Sequence, residues 1–171
     1  MEKEKAVLAV AILITILWVG VIGVGFFYHW TIKKDTVAWL HRAQVASNPE
    51  DMQKYLVECK NGMEKHGLTD GYAAIIEKTP ENYMPLILQA LDRSIQRCEN
   101  IKQFDETSTE YQVALDDVRG QIRELNLYTP YSWWVRHIVF LFLIEFGWLA
   151  VAISWIGYAV KKDRQEDWWE D

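Results

Sequence analysis

The chain has 171 residues, half of them hydrophobic, with nine Trp and a formal net charge of −6 at neutral pH. That length allows one or two domains, and a mildly acidic balance lacks the basic face that a nucleic-acid binder presents. No Gly-rich phosphate loop, Walker motif, dinucleotide fingerprint, HExxH or Ser/His/Asp signature occurs, so the common nucleotide-dependent and hydrolytic enzymes have no motif here.

The first element is the run from Ala6 to Phe27, which carries no charged residue. It exceeds the roughly 18–20 residues that a helix needs to cross a bilayer core. It is also longer than the roughly 7–15 residues of a signal-peptide core, and no A-x-A site follows it. The start "MEKEK" mixes Lys3 and Lys5 with Glu2 and Glu4. The run therefore reads as an uncleaved anchor. "FFYHW", from Phe26 to Trp30, marks its edge, because aromatic rings with polar atoms settle at the membrane–water interface. The stretch from Thr31 to Ser47 prolongs this helix, with Val37, Leu40 and Ala43 or Gln44 on one side.

Between the apolar runs, residues 31–134 hold 12 Lys/Arg and 16 Asp/Glu, a net of −4. Asn48-Pro49-Glu50-Asp51 is a helix start: a capping Asn, Pro in the first turn, and acids at the positive end of the dipole. Met52, Leu56, Cys59 and Met63 follow on one helical face, and Gly67 is the stop. "GLTDGYAAIIEK" reads as a turn and a short helix. Thr79-Pro80-Glu81 is a second start of the same type, followed by a seam of Met84, Leu88, Leu91, Ile95 and Cys98, with Pro85 tolerated near the start. Thr107-Ser108-Thr109-Glu110 fits a capping box, and Tyr111, Leu115, Val118, Ile122 and Leu125 supply the third seam. Pro130 ends that unit.

"YTPYSWW", from Tyr128 to Trp134, repeats the aromatic edge. The run from Ile138 to Val160 is again long enough to span, and its one charged residue is Glu145. A charge near a bilayer centre costs at least roughly 2.5–3.5 kcal/mol on insertion scales, so it usually faces protein or water. Gly147, Ala150, Ser154 and Gly157 form a small-residue stripe suited to close helix packing, for which the first run offers Gly20 and Gly23. Glu145 lies roughly 140–180° from Ala150 and Ser154 at 100° per residue. If the stripe meets the first run, Glu145 points away and needs another partner: a second copy, a different subunit or a wet cavity. The tail places Lys161, Lys162 and Arg164 before an acidic end containing Trp168 and Trp169, which can dock at the interface or on a partner.

The fold expected is all-α: a two-span transmembrane helical hairpin with an intervening antiparallel helical-bundle domain. It divides into an N-terminal tail (1–5), a first span (6–28), an extracytoplasmic domain (29–134), a second span (135–160) and a C-terminal tail (161–171). Basic residues flank both sides equally, but long segments translocate largely regardless of charge, so both termini are expected in the cytoplasm.

Chemistry is sparse. His29 and His137 end one run and begin the other, with His41 more remote, but two imidazoles are too few for a defined metal site, and no cofactor is expected. Cys59 and Cys98 lie on seams of different helices. They are either a candidate disulfide closing a loop of about 40 residues or two buried thiols. Asp116 and Asp117 read as solvent-facing. The function expected is that of a membrane-anchored interaction protein, an accessory or scaffold subunit, with the bilayer and a second membrane chain or copy as partners. The alternatives are a sensor or ligand-binding input module and a small membrane enzyme or electron-transfer subunit.

Overall fold

The computed structural model describes residues 2–125, 127 and 129–166; Trp168 and Trp169 lie outside the described residues. Seven α-helices make up nearly all its regular structure: α1 (Glu2–Asp35), α2 (Val37–Gln44), α3 (Pro49–Lys65), α4 (Met84–Ile101), α5 (Thr109–Glu124), α6 (Thr129–Arg136) and α7 (Ile138–Glu166). The chain forms two compact units, one from the described parts of 1–27 and 137–171, the other from residues 28–136. Two helical stretches, Lys5–Gln44 and Ile138–Lys162, are long and apolar enough to cross a membrane.

In the 28–136 unit, α1 runs on to Asp35 and breaks at Thr36, whose hydroxyl donates to the Ile32 carbonyl at 2.7 Å. Such back-bonding bends helices, and Thr36 is fully buried with its hydroxyl 2.8 Å from that of Thr129. α2 then packs on α3 and α5, α3 on α4, and α4 on α5. Asn48 caps α3 as expected, its Oδ1 accepting from the Asp51 amide at 2.7 Å. Met52, Leu56, Cys59 and Met63 are all fully buried. α3 stops at Gly67, which takes φ +66. There the Leu68 amide donates to the Met63 carbonyl and the Gly67 amide to the Glu64 carbonyl, which is the Schellman pattern that a left-handed glycine permits.

Three local expectations are corrected. Thr79-Pro80-Glu81 opens only a 3-10 turn (Pro80–Asn82), and α4 begins at Met84. A helix through both prolines would set the Pro85 ring against the carbonyl of residue 81. On α4 the buried line is Met84, Ile87, Leu91, Ser94, Cys98 and Ile101, while Leu88 and Ile95 are half-buried at its flank. At α5 the cap is Ser108, whose hydroxyl accepts from the Tyr111 amide at 3.1 Å. Thr107 instead bonds Asp105 through both its amide and its hydroxyl, so the box with Glu110 does not form. The seam Tyr111, Leu115, Val118 and Ile122 is buried as expected, while Leu125, which follows the end of α5, is only half-buried.

The stretch from Gly67 to Thr79 is a loop, not a turn and a helix. Gly71 adopts φ +71, a left-handed conformation at home in a loop rather than a helix. The loop's feet are fastened: the Met84 amide donates to Gly71, the Ala73 amide to Asn82, and Asn82 Nδ2 to Glu77.

Candidate interaction surface on the second apolar helix

Within the unit formed by 1–27 and 137–171, Trp18 is the element that meets α7. Its indole N–H donates to the Ile144 carbonyl at 3.2 Å. Its ring lies against Gly147 so closely that a Cβ at that glycine would overlap it. Further along the pair, the Trp155 indole donates to Thr15 Oγ1 at 3.1 Å, and Thr15 in turn donates to the Ala11 carbonyl at 2.8 Å. Residue numbers rise along α1 as they fall along α7 through these contacts. Gly20 and Gly23, expected to receive the stripe, have nothing within 4 Å of the point where a Cβ would stand. The contact is therefore a large ring in a glycine notch rather than small residue on small residue.

The stripe divides accordingly. Gly147 meets Trp18 of α1. Ser154, whose hydroxyl donates to the Val151 carbonyl of its own helix at 2.7 Å, and Gly157 border a shallow apolar groove with Ala6, Val7 and Val10. Ala150 is exposed. The sequence signal that could have found Trp18 and Trp155 is their position: both sit well inside apolar runs rather than at an aromatic edge.

Glu145 is exposed and makes no hydrogen bond or ion pair among the described residues. It stands one turn from Phe142 on one side and from Trp148 and Leu149 on the other. Phe142 is 54% exposed and Trp148 52%. An acid is thus centred in an apolar helix face that the described residues leave uncovered.

The other candidates are placed as follows. His29 Nδ1 accepts from the Trp134 indole at 3.3 Å and sits edge-on to Tyr131 at 6.0 Å, which commits one of its two nitrogens. His41 and His137 are exposed. No group of three or more His, Cys, Asp or Glu among the described residues could hold a metal ion. Cys59 and Cys98 are free and buried. Burial pushes the Cys59 thiol up to about 12 and the Cys98 thiol up to about 11, so both are protonated and unreactive at neutral pH. Asp117 accepts from Arg97 at 2.6 Å and Asp116 from Arg119 at 2.8 Å on the surface. An open cleft between α4 and α5 is lined by Leu86, Ala90 and Leu125 among others.

One cluster was not visible in the sequence. Asp35, the last residue of α1, accepts from Lys65 at 2.8 Å and lies 2.9 Å from His66 Nε2. The Lys65 hydrogen bond, with His66 adding to it, holds the Asp35 carboxyl below its ordinary range against the opposing effect of burial. Arg136, the last residue of α6, donates to the carbonyls of Gly67 and Asp70 and to the Asp70 carboxylate. The short segment 65–70 is thereby tied to both helix ends. A depressed folded-state pKa contributes stability above the unfolded value of about 3.9 that is lost as pH falls through the folded one. Asp35→Asn is accordingly expected to lower thermal stability at pH 7, with the deficit from wild type shrinking below about pH 4. A deficit that stays constant from pH 7 to pH 3 would exclude this role.

No protein-family model, curated protein or solved structure matches the chain.

Proposed function

We propose that the chain is a membrane-anchored interaction protein, an accessory or scaffold subunit of a membrane assembly. In this reading α1 and α7 cross the bilayer as a hairpin. Both termini lie in the cytoplasm, and helices α2 to α5 form an antiparallel bundle outside it. The observation that carries the reading is Glu145: a carboxyl in the middle of an apolar span, on the face turned away from Trp18 and without a partner among the described residues. In a bilayer such a group is strongly disfavoured against lipid. A helix of another subunit bearing a cation or hydrogen-bond donor, or a second copy sharing a proton between two carboxyls, removes that cost.

The flanking Phe142, Trp148 and Leu149 supply side-chain packing area for the same contact, which in a bilayer adds van der Waals complementarity rather than a hydrophobic drive. Isolation from native membranes in a mild detergent tests the reading. Co-isolation of a stoichiometric membrane partner, or of a dimer, is expected. A strictly monomeric species would contradict it.

A second reading is favoured by the 65–70 segment. Because that segment is bonded to Asp35 and to Arg136 together, a ligand-induced shift of about 1–2 Å in α3 would reach both helix ends at once. This is the geometry of an input module that signals through a partner. A bundle unchanged by every ligand tried would remove it.

A further inference from the structure

We infer that the loop from Gly67 to Asn82 is a membrane-contacting element, which dips Ile75 and Ile76 into the interfacial layer of the lipid bilayer. The inference rests on the reading that α7 spans a membrane, and adds to it a second lipid contact outside the spans.

The first observation is exposure at a defined place. Ile76 is 94% exposed, the highest value of any large apolar residue among those described, and its neighbour Ile75 is 48% exposed. Singly exposed aliphatic residues are ordinary, and Val45 and Val113 are examples here. What separates the pair is position. The loop's root is bound by Arg136, which donates to Gly67 and Asp70. Arg136 precedes the first residue of α7, Ile138, by two positions in the chain. The root is therefore bonded to a residue that lies only two positions along the chain from the start of the second apolar helix. By contrast, Val45 follows α2, the helix leading away from Asp35, and Phe104 lies in the α4–α5 connection, so neither is bonded to the described residues that enter α7.

The second observation is that the loop is built rather than slack. Hydrogen bonds Met84 to Gly71, Ala73 to Asn82, and Asn82 Nδ2 to Glu77 close its feet. Tyr72 stacks on Tyr83 at 4.8 Å between ring centres, and Ala73 is buried. Residues 74–78 are left as a short tip between these bonds, and it carries the two exposed isoleucines. The fastened feet reduce the ordering entropy to be lost on insertion, so more of the apolar transfer is retained.

The charges set the depth. Asp70 is engaged by Arg136, and the Lys78 ammonium lies over the Tyr72 ring at 5.6 Å. Glu77 follows Ile76 directly. One acid and one cation beside the tip fit the headgroup layer but not the hydrocarbon core, so the contact is interfacial and does not require anionic lipid.

The test uses the full chain reconstituted in phosphatidylcholine vesicles, with an environment-sensitive fluorophore on Ile76→Cys. Cys59 and Cys98 can be retained because both are buried and protonated. Val113→Cys, on the exposed face of α5, is the aqueous reference, and Leu143→Cys, exposed on α7 away from the Glu145 face, the lipid reference. The expected result is blue-shifted emission at position 76 and quenching by spin-labelled lipid several-fold above that at 113, approaching that at 143. Water-like emission at 76 with lipid-like emission at 143 would overturn the loop inference alone. Water-like emission at both would overturn the membrane reading on which it stands, and the inference with it.

Discussion

Glu145→Leu is expected to release the partner from the assembly while leaving the isolated chain as stable as wild type. The side chain is exposed and bonded to nothing among the described residues, so the fold loses no contact with it. A hydrogen bond between membrane helices contributes about 0.6–2 kcal/mol. If the facing group is a cation, leaving it unpaired in a desolvated contact costs about 3–5 kcal/mol. Since each 1.4 kcal/mol is about tenfold in affinity, co-isolated partner falls at least severalfold, and by far more for an ion pair. Glu145→Gln separates the two cases: it keeps a hydrogen-bonding group of the same shape, so a donor partner is largely retained and a cationic one is lost. Partner recovery unchanged in Glu145→Leu would dissociate Glu145 from the interface.

Gly62→Ala is expected to lower the melting temperature by about 10 °C, the largest effect of any single methyl in the 28–136 unit. A Cβ at residue 62 would fall on the backbone carbonyl of Asp35, which cannot rotate away as a side-chain tip can. Overpacking of this kind costs about 1–3 kcal/mol, and a backbone clash lies at the upper end. It outweighs the gain of about 0.5–1 kcal/mol that Ala normally brings to a helix interior. The net is about 2 kcal/mol, and a domain of this size loses about 4–8 °C per kcal/mol. Gly120→Ala is the matched control. Gly120 also lies inside a helix, α5, but nothing stands within 4 Å of its Cβ position, so the same substitution there is expected to raise stability slightly. Equal effects at the two sites would show that the α1–α3 approach is looser than Gly62 implies.

Local signals in the sequence were sufficient where one residue type decides the backbone. Asn48-Pro49 starts α3, Gly67 ends it, and the α3 and α5 seams are buried as their spacing indicates, because these features depend on neighbours within one turn. The boundary before α4 was misjudged because two prolines five residues apart offer two starts, and only the clash at Pro85 decides between them. Ser108 and Thr107 are both competent caps, and Asp105 settles the choice by claiming Thr107. In "YAAIIEK" the small and apolar residues suggest a helix, but Gly71 and the Asn82 side chain bind the chain as a loop.

The candidate interface was legible only in part. Glu145 and the notch at Gly147 are visible as an acid and a small residue in an apolar run. Trp18 is not visible as the ring that fills the notch, since nothing local links it to Ile144, 126 residues away, or to the glycine beside it. The Asp35–Lys65–His66 cluster and the Arg136 clasp were hidden for the same reason. Gly62 carried a weak signal, as an isolated glycine in an otherwise regular helix usually has a packing reason.

The most direct test of the central claim is photocrosslinking in native membranes from a photoreactive amino acid at position 145, with mass spectrometry of the adducts. The account expects a defined membrane polypeptide, either another subunit or a second copy, crosslinked through an apolar helix. Adducts with lipid alone would contradict it.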